Sequence, residues 1–305
     1  MAACPPGSTA SASPRTCSRR WALSTEVAPI VTAAWQGFVR HDVQGPHGRL
    51  SVRVGGAEHG APALLCHSIL SSSAIWHSQA LALAARGHRV LALDSRGHGQ
   101  SGAPRGPYAM DDLVADAIAV LDHFSIARTH VIGVSQGGMT AFGLGVRYPG
   151  RLLSLCVIAA RADAPPPFAA AWDDRIALVQ ARGIAPLAAP TAERWFGGAF
   201  LDAHPAIATA LLDCINETNP QGFVGCARAI QSLAYLDGVR TLQVPLTMIV
   251  GANDQLLVQP MTDLAALLDC RLAIIAGAGH LPQVDHPDEV DATIERHLRE
   301  AARSG

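Results

Sequence analysis

The chain has 305 residues, nearly half of them apolar, which is ample for one large hydrophobic core. Its net charge of −2 gives no basic surface for nucleic acid and no acidic solvating tail, and no apolar stretch reaches the roughly 18 residues that span a membrane. All 23 basic residues are arginine, so Schiff-base and phosphate-loop chemistry, which need a lysine, are excluded.

Residues 1–35 read as a disordered N-terminal extension, rich in Ala, Ser and Pro up to Ser18. The run Ser18-Arg19-Arg20-Trp21-Ala22-Leu23 loosely resembles a twin-arginine export signal, but Glu26 interrupts the apolar region that follows. The seven cysteines form no CxxC pair and no zinc spacing with histidine. Buried free thiols in a reducing compartment are therefore expected, which makes the cytoplasm the expected location and export the alternative. Neither a metal nor a cofactor is implied.

From His47 onward short apolar runs alternate with helical patterns, as in an α/β sheet. Residues 49–54 (RLSVRV) alternate with period two and predict a half-buried strand. Continuous apolar runs at 63–66, 89–93, 130–134, 152–158, 246–250 and 272–276 predict strands buried on both faces of a parallel sheet. Helices are expected over 109–124, 136–148, 257–268 and 287–298. The first has Asp111 and Asp112 in its opening turn and Leu113, Ala117, Val120, Leu121 and Phe124 on one face. The segment 161–238 breaks the alternation: it holds Pro165 to Pro167, helical pieces and no central strand. Placed after a sheet strand, it would lie over the C-terminal edge of the sheet as a cap. The expected division is thus 36–160 and 239–305 for the core and 161–238 for the cap.

Gly133-Val134-Ser135-Gln136-Gly137 follows an apolar strand and precedes a helix, the context in which G-x-S-x-G raises a serine nucleophile on a strained turn. Serine needs a base, and the base needs an orienting acid. Asp254 and His280 each lie in a Gly-containing loop just past an apolar run, in the order Ser, Asp, His. His286 and His297 are expected at the surface. The tetrahedral intermediate needs two backbone donors. Gln136, next to the nucleophile, is one; Ile69, in the early loop His67-Ser68-Ile69-Leu70, is the other, with Ser68 as runner-up. His67 is expected to brace that loop, and Asp94 and Arg96 to tie together the backbone of 94–101.

Taken together, His67-Ser68, Asp94-Ser95-Arg96-Gly97-His98-Gly99-Gln100-Ser101, the serine motif and Gly279-His280 resemble the α/β-hydrolase superfamily from about Arg49 onward. A closer resemblance, to 3-oxoadipate enol-lactonases, rests on Ser68-Ile69-Leu70 with Trp76 and Gln79, on Gly106-Pro107-Tyr108, and on three cap runs. These are Ala171-Trp172-Asp173-Asp174-Arg175-Ile176, Arg194-Trp195-Phe196 and Thr218-Asn219-Pro220-Gln221-Gly222-Phe223 continuing to Cys226. Those lactonases tend to carry Asn-Ser-Leu-Gly at the His67 run and an aliphatic residue at Gln136, so the oxyanion region has changed. The resemblance implies an α/β-hydrolase fold: a mostly parallel central sheet flanked by helices, with a helical cap inserted before the penultimate strands. It also implies cofactor-independent hydrolysis of a small carboxylated lactone or ester. Arg161, Arg175, Arg194 and Arg228 are candidates to bind the carboxylate, and Trp195 to line the pocket. A general carboxylesterase or acyltransferase on the same three residues, and a ligand-binding sensor that kept them, are the alternatives. The oligomeric state is left open.

Overall fold

The apolar runs read above all become strands of a single sheet in the computed structural model, which describes Met1 and residues 35–304. The extension read over 1–35, with its arginine pair, Cys4 and Cys17, lies outside the described residues except for Met1 and Trp35. The strands are β1 (Phe38–Gly45), β2 (Gly48–Gly56), β3 (Pro62–Cys66), β4 (Arg89–Asp94), β5 (Thr129–Val134), β6 (Leu152–Ile158), β7 (Leu246–Gly251) and β8 (Arg271–Ile275). Their order is β1-β2-β4-β3-β5-β6-β7-β8. The β1–β2 and β2–β4 pairs are antiparallel and all others parallel. Every residue of β5 is buried, as expected for a central strand covered on both faces.

Helices α1 (His77–Ala85), α2 (Met110–His123) and α3 (Gln136–Arg147) connect the strands of the first half. Asp112 of α2 accepts the Ala109 N–H at 2.8 Å, which satisfies one free donor at the helix start. Leu113, Ala117, Val120 and Leu121 of α2 are buried, the face the spacing predicts. Between β6 and β7 lies the insertion: α4 (Pro166–Ala170), α5 (Asp173–Arg182), α6 (Ala185–Phe196), α7 (Gly198–Ala203), α8 (Pro205–Asn216), α9 (Pro220–Gln231) and α10 (Leu236–Val239). Then follow α11 (Val258–Leu267), α12 (Pro282–Asp285) and α13 (Pro287–Ser304). Among the described residues no helix is long and apolar enough to cross a membrane.

The insertion leaves and rejoins the sheet at one place. Asp163 and Ala234 form a bridge, the Ala164 N–H donates to Leu233 O at 3.0 Å, and the Tyr235 N–H donates to Ala162 O at 2.8 Å. It also rests backbone-on-backbone against the loop after β4. A Cβ on Gly97 would stand 2.2 Å from Gly222 Cα of α9, and Gly97 has φ +75. Next to that contact the Asn219 N–H donates to Gly97 O at 3.1 Å.

Three features differ from the sequence reading. Strand β1 precedes the first predicted strand; β8, read as buried on both faces, is an edge strand of the sheet with Ile274 50% exposed; and His297 is buried inside α13, where a surface position was expected. The His297 imidazole bridges the sheet: Nδ1 lies 3.0 Å from Thr247 Oγ1 and Nε2 2.8 Å from Ser154 Oγ, which also meets His130 Nδ1 at 2.7 Å. Burial pushes both imidazoles down to about 4, so they sit there neutral. Five cysteines (Cys66, Cys156, Cys214, Cys226 and Cys270) are free thiols, and burial pushes each of them well above the ordinary thiol range.

Candidate active site

The sheet order reverses on either side of β3, and the crevice at such a reversal is where open α/β sheets bind ligands. The loop after β3 carries Ile69, and β5 beside it ends at Ser135. Ser135 has φ 56 and ψ −117, a backbone conformation that costs a non-glycine residue on the order of 1–3 kcal/mol. The surrounding glycines make the turn possible. A Cβ on Gly133 would stand 2.2 Å from Gly137 O, and one on Gly137 would stand 2.1 Å from Cys66 O. The strain holds Ser135 at the head of α3, whose first N–H groups have no partner within the helix.

His280 follows β8 and Asp254 follows β7, so adjacent parallel strands deliver them side by side. His280 Nδ1 lies 2.6 Å from Asp254 Oδ2, and Asp254 is 8% exposed. Since the carboxylate accepts, Nδ1 carries the proton and Nε2 is left as the basic nitrogen. The acid loop is itself anchored to the histidine loop: the Asn253 N–H donates to Ala278 O at 2.9 Å and Asn253 Nδ2 to Gly277 O at 2.7 Å.

The loop holding Ile69 is braced by two buried histidines. The Ser95 N–H donates to His67 Nε2 at 2.9 Å, and His67 Nδ1 meets Ser68 O at 2.7 Å. The Leu70 N–H donates to His98 Nε2 at 3.1 Å, and His98 Nδ1 meets Arg96 O at 3.1 Å. In both rings Nε2 accepts, so Nδ1 bears the proton and the ring is neutral. Burial drives His98 down to about 3 and His67 in the same direction. Asp94 accepts the Ser73 N–H at 2.8 Å and the Gln100 N–H at 3.0 Å. Arg96 grips Asp116 with two bonds of 2.6 and 2.8 Å, both side chains buried. His67, Asp94 and Arg96, the last also donating to Asp112 O at 2.9 Å, tie backbone together as the sequence reading expected of them; His98 and Asp116 join them without having been singled out.

The N–H groups of Ile69 and Gln136 donate to no other group among the described residues. Ile69, Ser135, Asp254, His280 and Trp195 all line one cavity of about 280 Å³, roofed by the insertion. Gln136 is buried behind the serine, and its Nε2 reaches Cys226 Sγ of α9 at 3.2 Å. Met139, Phe168, Trp172 and Leu257 complete apolar parts of the wall; sequence reasoning did not single them out for this purpose.

The four candidate arginines separate. Arg161 pairs with Asp163 at 3.1 Å and faces a different cavity; Arg228 pairs with Asp173 at 3.0 Å. Arg175 and Arg194 line the cavity, and neither has an acidic partner among the described residues. The Arg175 guanidinium lies 4.8 Å from the Trp172 ring centroid. Burial and the neighbouring charge of Arg175 push Arg194 down to about 10.

Residues 62–287 match the family model described as alpha/beta hydrolase fold. The chain is 30% identical over 245 residues to 3-oxoadipate enol-lactonase 2 of Acinetobacter baylyi, an alignment covering 78% of this chain and 89% of that one. It is 28% identical over 243 residues to enol-lactonase 1 of the same organism, covering 79% and 89%. Among solved structures it is similar to the enol-lactonase of Burkholderia xenovorans, with a TM-score of 0.81, 25% identity, and coverage of 85% of this chain and 100% of that one.

Proposed function

The chain belongs to the alpha/beta hydrolase fold family and is an ester-cleaving hydrolase close to the enol-lactonases; from that premise we propose that it opens a small lactone or ester through an acyl-enzyme on Ser135. The observation that carries this reading is the 2.6 Å contact of His280 Nδ1 with Asp254, on the wall of the cavity that Ser135 also lines.

In this reading Ser135 Oγ attacks the carbonyl carbon and its proton passes to His280 Nε2. Asp254 stabilises the imidazolium that forms. Charge on the carbonyl oxygen is met by the N–H groups of Ile69 and Gln136, each worth about 2.7–4 kcal/mol of barrier in comparable sites. Collapse breaks the acyl–oxygen bond, and His280 returns its proton to the leaving oxygen, which stays tethered in a lactone. Water, deprotonated by His280, then attacks the acyl-enzyme and frees the acid. Ser135 and His280 form no direct hydrogen bond among the described residues. Such pairs commonly tighten only around bound substrate.

A cavity of about 280 Å³ suits a small substrate. Arg175 and Arg194 supply positive charge with no ion pair among the described residues, although Arg194 feels the charge of Asp254, and a carboxylate on the substrate would complete their pairing. Trp195 serves in this reading as part of the substrate wall.

A fluorophosphonate probe and an activity panel test the reading together. Labelling confined to Ser135, with turnover highest on carboxylated lactones, is the expected result. Preference for neutral p-nitrophenyl esters would move the protein to general carboxylesterases, and acyl transfer to added alcohols to acyltransferases. A protein that neither labels nor turns over any member of the panel would be a ligand-binding sensor, and the proposal would fall.

A further inference from the structure

Helix α6 ends against the loop that carries His280. The Trp195 carbonyl, in the last turn of α6, accepts the His280 N–H at 2.8 Å. Carbonyls there have no partner within their own helix, so the histidine backbone satisfies one that α6 cannot. The Trp195 indole is stacked on the imidazole, with 6.0 Å between ring centroids and 24° between planes. Trp195 is 2% exposed, so packing fixes its place. The approach leaves no slack: a Cβ on Gly279 would stand 1.9 Å from Trp195 O.

His280 is therefore held from two sides. Asp254 holds the ring through Nδ1, and Trp195 holds the main chain and covers one face of the ring. The geometry points to Trp195 as a positioning residue for His280, through which the insertion takes part in proton transfer as well as in shaping the cavity. This inference rests on the proposed role of His280 as the base. An indole face held beside the ring restricts its rotation. Displacement of a reacting group by about 1 Å can cost about 100-fold in rate, so a loosened imidazole would act on kcat.

The test compares Trp195→Leu, Trp195→Phe and Gly279→Ala with the parent enzyme on p-nitrophenyl acetate and on the lactone it hydrolyses best. Trp195→Leu is expected to lower kcat about 10-fold on both substrates, over and above any change in KM that follows from its place in the substrate wall. Trp195→Phe should recover most of the loss. Gly279→Ala should lower kcat similarly by pushing the His280 main chain off the Trp195 carbonyl, and the double variant Trp195→Leu/Gly279→Ala should lose less than the product of the two single losses, since both loosen the same imidazole. A rise in KM at unchanged kcat would leave Trp195 as a substrate contact only and overturn the inference. If Trp195→Leu does not fold by circular dichroism, Trp195→Phe and Gly279→Ala decide: parental kcat in both overturns it. His280→Ala separates the two levels. Parental turnover in that variant sinks the role of His280 itself, whereas an inactive His280→Ala beside a Trp195→Leu of parental kcat sinks only the role of Trp195.

Discussion

The floor and the roof of the cavity are built on different terms. In the floor, polar side chains face one another: His67 and His98 accept backbone N–H groups, Asp94 accepts two more, and Arg96 is locked to Asp116. Even the backbone strain at Ser135 is enforced by glycines that admit no side chain. In the roof, Arg161 and Arg228 meet aspartates away from the cavity, while Arg175 and Arg194 face it without one. Buried side chains paired to the backbone hold atoms in place, and a charge with no ion pair is free to take a partner of opposite sign. The contrast teaches that the rate of the reaction should be set mainly by the floor and the choice of substrate mainly by the roof, with Trp195 as the point where the two meet.

Substitutions in the floor should give the largest effects. Ser135→Ala is expected to lower kcat about a million-fold, with a thermal midpoint close to that of the parent; residual turnover near the parental rate would break the contrast outright. Asp254→Asn should cost about 10⁴-fold in kcat, because the amide stabilises the wrong imidazole tautomer. Asp116→Ala leaves the buried Arg96 with only the longer ion pair to the Asp112 carboxylate, at 3.9 Å, and should destabilise the fold by about 3 kcal/mol in urea titration. A midpoint unmoved by that change would show that the floor does not depend on its ion pair.

The roof should answer in KM. Arg194→Ala and Arg175→Ala are each expected to raise KM for a carboxylated lactone about 10-fold, roughly one charge-assisted hydrogen bond, and to leave a neutral ester of the same size unaffected. Equal losses on both substrates would assign these arginines to folding. The smallest effect is a dependence of stability on pH. His98, His130 and His297 are pushed down to about 3, 4 and 4 by burial, and His67 is lowered too. A histidine with a depressed folded value gives its full stability above its unfolded pKa near 6.5 and loses it as pH falls towards the folded one. Asp291, pushed up to about 6 by burial, and Asp116 and Asp285, raised in the same way, work in the opposite sense, but the four histidines outnumber them. The thermal midpoint should therefore hold above about pH 6.5 and fall steadily towards pH 4. A flat profile would show that those imidazoles are already charged in the folded protein.

Much of the floor was legible in the sequence because its signals are local. Strands buried on both faces read as apolar runs, and Gly133, Ser135 and Gly137 mark their own turn. Strand β1 was missed because it is an edge strand: only Val43 and Gly45 are buried, Val39 is 61% exposed, and polar residues interrupt the alternation. His297 misled because its place depends on hydroxyls at Thr247 and Ser154, far away in sequence. The roof was legible only in outline. Four arginines of the same kind cannot be ranked without knowing which meets an aspartate, and Arg228 finds Asp173 on another helix, 55 positions away. The contact of Trp195 with His280 joins segments 85 positions apart, and the only trace of it in the sequence is a glycine before the histidine.

The paired glycines Gly97 and Gly222 have a consequence for modularity. Their Cα atoms meet where a side chain on either would collide with the other backbone. A foreign roof grafted between β6 and β7 would have to land a glycine on that spot, or stand off and tilt away from α6's hold on the histidine loop. The contact thus acts as a docking key, and shuffled variants of this scaffold could be screened for it before any substrate is tried.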